Sequence, residues 1–322
     1  MATDSRIPGA LWGALIGDAM GVPVEFTSRS ARDADPVVDM RAFGTHLQPQ
    51  GTWSDDSSLL VTTLESLMLK RKFDLEDISG RFQRWLYEAE WTPHGEVFDV
   101  GITTREAIGR LREGMPPTEA GPSDEYSNGN GSLMRILPLA LAMAKSPPKD
   151  LIEAAIDLSS LTHGHPRSQA CCAWFCLLMA NLVNDKSLAR ADDSLEEAIY
   201  AAWKDFDAHA PASLIEESSH FRKFERLSDV RILAREDVRG SGYVVDCLVA
   251  SLWCVATSRE FEEAVPKAVN LGEDTDTTAC VTGALAGALW GVDPIPGRWH
   301  RCLARHEELG DLFFKAAYQL PL

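Results

Sequence analysis

Helical periodicity constrains this chain more than any other feature. Apolar residues recur at i, i+3, i+4 and i+7 in SSLLVTTLESLML (57–69), LEDISGRFQRWLYEA (75–89), LMRILPLALAMA (133–144), DLIEAAIDLSSLT (150–162), SQACCAWFCLLMANLV (168–183) and YVVDCLVASLWCVA (243–256). That spacing gathers them on one face of a 3.6-residue turn, whereas the period-two alternation of half-buried strands is scarce. An all-α fold is the expectation. The 168–183 segment is apolar nearly all round, which predicts a helix buried on every side in a large helical body. Two further runs, GALWGALIG (9–17) and GALAGALWG (283–291), put Gly at every fourth position. Each such Gly costs a helix roughly 1 kcal/mol relative to Ala, so a ridge of them predicts close backbone approach between packed helices.

Nothing recurs at a fixed period between those runs, which excludes a repeat architecture. GMPPTEAGP (114–122) and SPPK (146–149) read as surface loops, and the acidic, mixed stretch 205–240 reads as an irregular excursion. No linker is long or polar enough to divide the chain, so residues 1–322 are expected to form one domain. With 45% hydrophobic residues a sizeable core is available. The 31 Lys+Arg against 48 Asp+Glu give a formal charge of −17, the opposite of the basic footprint that neutralises phosphate backbones, which argues against nucleic acid as a partner. Seven Cys show no framework spacing, and six lie in apolar, helix-like runs where a thiol behaves as a small hydrophobe. A reducing, cytoplasmic location is the expectation. The apolar amino-terminal stretch is read as too short to span a bilayer; it carries Asp18 and lacks a cationic leader region.

Six local constellations carry chemistry. In GTWSDDSS (51–58), Ser54 reads as an N-cap, with Asp55 and Asp56 as first-turn acids favoured by the helix dipole. In LGEDTDTTACVTGALAG (271–287), Asp274, Asp276, Thr275, Thr277 and Thr278 open a second helix in the same way. Capping alone does not require paired carboxylates and a hydroxyl at both places. Four hard oxygen anions with hydroxyl neighbours suit Mg²⁺ or Mn²⁺ and not zinc, which would call for His or Cys at ligand spacing. In GALIGDAMGVPVEF (13–26), Gly21 and Pro23 are expected to end a helix and leave Glu25 on the following loop. YSNGNGSLMRILP (126–138) reads as a glycine turn leading into a helix, a phosphate cradle of exposed N–H groups. LTHGHPRS (161–168) carries His163 and His165, and EVFDVGITTREAIGRL (96–111) sets Asp99 just before Gly101 and a helix start.

In order, GALIGDAMGVPVE, GTWSDDS, FDVGITTREAI, SNGNGSLMR, THGHP, SGYVVDCL and VNLGEDTDTTA resemble the ADP-ribosylglycohydrolase family, most closely its dinitrogenase-reductase-activating glycohydrolase branch. The blocks run from residue 9 to about 300. The resemblance implies a compact, single-domain, orthogonal helical bundle with two Mg²⁺ or Mn²⁺ ions, which removes ADP-ribose from modified side chains. It makes Ser54, Asp55 and Asp56 a first metal-binding cluster, Asp274, Asp276 and Thr277 a second, and Glu25 an acid that approaches metals and substrate. Asp55 and Asp56, with Glu25 and Asp99, are implied in catalysis. Asp99 points to arginine-linked substrate, Gly129, Asn130, Gly131 and Ser132 match a diphosphate-contacting loop, and His163 matches a histidine lining the ADP-ribose cleft. Glu273 departs from the family's second glycine and is in position to crowd the turn or alter metal affinity.

Four aspartates against two divalent cations sum to zero charge, so a mutually repulsive cluster becomes favourable once metal binds. An ADP-ribosylated protein is the implied substrate and ADP-ribose the product. Cleavage of a serine linkage, a binding role as an immunity protein against an ADP-ribosyltransferase toxin, and a crystallin-like structural role are the alternatives.

Overall fold

Backbone touches backbone where the two glycine ridges meet. The computed structural model describes residues 5–185 and 190–322. The first four residues of the amino-terminal stretch and residues 186–189 lie outside the described residues, and the expected domain of 1–322 includes both. In chain order the helices are α1 (Arg6–Gly21), α2 (Arg29–Ala34), α3 (Asp55–Lys70), α4 (Leu75–Glu88), α5 (Ile102–Arg112), α6 (Leu137–Ala142), α7 (Pro148–Ser160) and α8 (Pro166–Asn184). They continue with α9 (Ala191–His209), α10 (Ala212–Ser218), α11 (Leu227–Arg231), α12 (Val244–Ala256), α13 (Phe261–Val269), α14 (Thr275–Trp290), α15 (Gly297–Cys302) and α16 (His306–Gln319). No strand occurs among the described residues, only isolated bridges pairing Phe43 with Gln48 and Gly129 with Tyr243. The all-α expectation holds.

Local chemistry sets some of the boundaries. Ser54 Oγ accepts from Asp56 N at the start of α3, and Asp74 accepts from Asp77 N at the start of α4, each meeting an amide that has no partner inside its helix. Two expectations need correction. The run 133–144 is helical only over α6, because Pro138 lacks an N–H and is confined to a helix's first turn. The stretch 205–240 is not irregular throughout: α9 continues to His209, and α10 and α11 follow.

One hydrophobic core runs through the body, with Trp53, Trp85, Trp174 and Trp299 completely enclosed. Helix α8 is buried along nearly its whole circumference, as its composition predicts. Helices α1 and α14 lie antiparallel: a Cβ on Gly9 would sit 2.3 Å from Gly287 O, and one on Gly17 1.9 Å from Ala279 O. The length argument against a membrane span does not hold, since α1 with the following turn runs over Arg6–Val24, long and apolar enough to cross a bilayer. In this structure that segment is 94% buried, with its apolar faces spent on other helices.

Candidate metal centre and cleft

Because α1 and α14 run antiparallel in contact, the end of one meets the beginning of the other. Thr275 Oγ1 donates to Gly21 O at 2.8 Å, so the acids that open α14 sit beside the turn that leads from α1 to Glu25. Helix α1 ends at Gly21 and a 3-10 turn covers Val22–Val24, leaving Glu25 just beyond, as expected. Asp18, inside α1 and completely buried, reaches across to the start of α3. It accepts from the amides of Ser54 and Ser57 at 3.0 Å and from Ser57 Oγ at 2.5 Å. That clamp fixes where Asp55 and Asp56 point.

Both predicted clusters converge. Thr277 Oγ1 donates to Asp56 Oδ2 at 3.2 Å across 221 residues of chain. Carboxylate oxygens of Asp18, Asp56 and Asp276 lie within 4.8 Å of one another, and so do those of Glu25, Asp274 and Asp276. Asp274 is held by Asn130 Nδ2 at 2.9 Å. Asp56 Oδ1, Asp274 Oδ1 and Asp276 Oδ2 are buried with no hydrogen-bond partner. Buried carboxylate oxygens left without donors cost several kcal/mol unless a cation neutralises them, and an all-oxygen set of this kind fits a hard divalent ion.

The titration behaviour follows from the same crowding. Burial first, then neighbouring carboxylates, pushes Asp55, Asp56 and Asp276 well above the usual range. Burial raises Asp18 to about 6 against the lowering effect of its serine donors. Glu25 is pushed up to about 11 by burial, Asp99 and Asp274.

Above the centre lies a cleft of about 280 Å³. Glu25, Asp55, Asp99, Gly129, Asn130, Gly131, His163, Asp274 and Thr277 all line it, and no Lys or Arg does among the described residues. Asp99, in the left-handed region at φ +53°, stands before Gly101, the N-cap of α5. Asp56 and Asp276 are buried and do not line it, but Asp276 lies within 4.8 Å of Glu25 and Asp274, which do.

Three sequence expectations are placed differently. Ser132 is fully buried, and its hydroxyl meets Ser159 at 3.0 Å and Cys172 Sγ at 3.3 Å, so its side chain faces the core and not the cleft. Ser54 caps α3 as its local pattern predicts: it is enclosed, with Oγ accepting from Asp56 N and facing Asp56 Oδ2. The Gly129–Gly131 loop does not lead directly into a helix: turns cover residues 131–135 before α6, and Asn130 N is already donated to Gly242 O. The helix end expected at this turn is therefore absent, and one of its amides is already engaged. Glu273 adopts φ +65°, the conformation that favours glycine, but its exposed side chain is absent from the cleft wall and crowds nothing.

Sequence reasoning missed two residues. Asp18 carried a signal, a lone carboxylate in an otherwise apolar glycine-rich helix. His46 carried none; it lies in a short turn, with Nε2 2.5 Å from Glu25 Oε2 and 3.9 Å from Asp99 Oδ1, and its ring packs on Phe98 and Phe26.

Known proteins resemble this chain over most of its length. An ADP-ribosylarginine hydrolase of Pseudomonas putida is 34% identical over 295 residues, covering 91% of this chain and 73% of that protein. An ADP-ribosyl-[dinitrogen reductase] glycohydrolase of Rhodospirillum rubrum is 30% identical, covering 91% and 88%. A solved structure described as an ADP-ribosylglycohydrolase-related protein complex superposes with a TM-score of 0.78 at 31% identity, covering 98% of each chain. The ADP-ribosylglycohydrolase family model matches residues 1–320, and the chain belongs to that family.

Proposed function

We propose that the protein, as one catalytic domain, hydrolyses the N-glycosidic bond between ADP-ribose and an arginine side chain, using two divalent cations, Mg²⁺ or Mn²⁺. The observation that carries this reading is the convergence of partnerless aspartate oxygens from both ends of the chain beside one acidic cleft. Asp55, Asp56, Asp274, Asp276 and Thr277 would hold the ions, with Ser54 supporting Asp56. When bound, the ions supply the positive charge that lowers the pKa of an attacking water and holds the ribose hydroxyls.

The chain's own groups do the rest. Glu25, on the Asp274 and Asp276 side of the cleft and hydrogen-bonded to His46, would take the proton from water once bound cations offset the burial and the neighbouring carboxylates that hold its pKa up. Asp99 offers two oxygens to the guanidinium of the leaving arginine, a pairing that a serine-linked ether oxygen cannot return. Gly129 and Gly131 keep the wall low enough for the ligand to lie against His163.

The test is incubation of purified protein with arginine- and serine-ADP-ribosylated peptides in Mg²⁺, in Mn²⁺ and in EDTA. Release of ADP-ribose from the arginine peptide, abolished by EDTA, is expected. Metal-independent release, or release from the serine peptide alone, overturns the reading.

A further inference from the structure

His163 meets the cleft with one ring nitrogen and the core with the other. Its Nδ1 lies 2.8 Å from Thr162 Oγ1. On the other side, a Cβ at Gly129 would lie 3.4 Å from Nε2 and one at Gly131 would lie 2.8 Å from Cε1, so any larger residue would close over that edge of the ring, which is only 2% exposed with glycine there. Among the described residues no protein group bonds Nε2, and His163 lines the cleft.

Thr162 is fully buried, and its oxygen accepts from Arg135 Nη2 at 2.7 Å. A hydroxyl has one hydrogen and two lone pairs, and a guanidinium only donates. With Arg135 on one lone pair, the Thr162 hydrogen needs an acceptor, and His163 Nδ1 is the acceptor that the described residues provide. A ring nitrogen that accepts carries no proton, so the proton of the neutral imidazole sits on Nε2. Burial, and then the guanidinium of Arg135, lowers His163 to about 3, so the ring is neutral at ordinary pH.

Arg135 needs an explanation of its own. It is completely buried and pairs with no carboxylate among the described residues; Nε and Nη1 have no partner, and the guanidinium rests 4.7 Å above the Phe82 ring. A buried cation without a counterion is costly. Fixing the direction of one hydroxyl at the cleft wall is a task that requires a permanent donor.

We propose that Arg135 and Thr162 lock His163 as the neutral Nε2–H tautomer, so that the cleft wall presents a fixed hydrogen-bond donor to an anionic phosphate oxygen. Neither Arg135 nor Thr162 lines the cleft; both are positioning residues. Assigning that oxygen to the diphosphate of ADP-ribose rests on the proposed function, whereas the tautomer does not.

The experiment is long-range ¹H–¹⁵N correlation NMR on the ligand-free protein labelled at histidine nitrogen, at neutral pH. A protonated Nε2 and a bare Nδ1 at His163 are expected; the reverse pattern, or an average of the two, overturns the proposal. In parallel, calorimetry with ADP-ribose should show Thr162→Val binding about tenfold more weakly, the scale of one lost hydrogen bond. Thr162→Ser should restore affinity to within about twofold of the parent protein. Equal losses in both variants, or none in Thr162→Val, also overturn it. Should Thr162→Val fail to fold, the parent spectrum still decides. A parent protein with the expected tautomer but no affinity for ADP-ribose would sink the functional reading and leave the tautomer standing.

Discussion

Gly13 and Gly283 meet backbone to backbone: a Cβ on Gly13 would lie 2.1 Å from Gly283 O, and one on Gly283 2.0 Å from Gly13 O. No side chain fits between α1 and α14 at that point. The same contact sets the register that puts Asp276 beside Gly21, so the helix crossing and the acidic centre are one piece of geometry.

Gly13→Ala and Gly283→Ala should therefore each destabilise the protein by about 3 kcal/mol or more, the upper range for overpacking a rigid contact. Gly109, inside α5 with open space around it, is the control. Gly109→Ala should stabilise by roughly 0.5–1 kcal/mol, because only the helix propensity changes. Urea denaturation of the three variants checks both signs.

Metal and pH should act on stability in opposite directions. A carboxyl whose folded pKa lies above its ordinary value contributes stability that is complete below that value and lost as pH rises through the folded one. Asp18, raised from 3.8 to about 6, belongs to this class, as do Asp55, Asp56 and Asp276. In EDTA the protein should melt at a higher temperature at pH 5 than at pH 8. Mg²⁺ or Mn²⁺ should raise the pH 8 value, by about 2.7 kcal/mol of stability at a hundredfold excess over Kd. No shift with either ion at millimolar concentration would remove the metal centre.

Asp55→Asn and Asp276→Asn should abolish hydrolysis, leave helical circular dichroism intact and raise stability in EDTA, since each removes a buried charge from a repulsive group. If these residues only favour helix starts, the variants would instead lose about 1 kcal/mol and keep their turnover. Activity assays beside thermal melts separate the two outcomes.

Asp99→Asn keeps the shape of the side chain and removes its charge. It should slow release from an arginine-linked peptide far more than it weakens binding of free ADP-ribose. Calorimetry showing affinity falling in step with activity would place Asp99 in ligand binding or metal support.

Glu273→Gly should gain about 0.5–1 kcal/mol, the relief of a left-handed backbone less glycine's larger unfolded-state entropy. Activity should be unchanged, because the Glu273 side chain is outside the cleft. Denaturant midpoints and turnover measured on the same preparation check it.

The sequence by itself determined the helical class, the two acid-and-hydroxyl starts at 54–56 and 274–277, and the end of α1 before Glu25. These depend on periodicity and on local helix-start chemistry, with a side-chain cap at Ser54 but none at Asp274, which act over about four residues and so can be read along the chain. Only the tertiary structure decided that the glycine ridges face each other, that Asp18 turns inward to clamp α3, and that His46 reaches Glu25. It also turned Ser132 into the core and gave the Asn130 amide to Gly242. Such outcomes depend on which surfaces bury against which across more than two hundred residues of chain, as between Asp56 and Thr277. A residue's own neighbours in sequence do not carry that information, because packing is settled by shape and charge between distant segments.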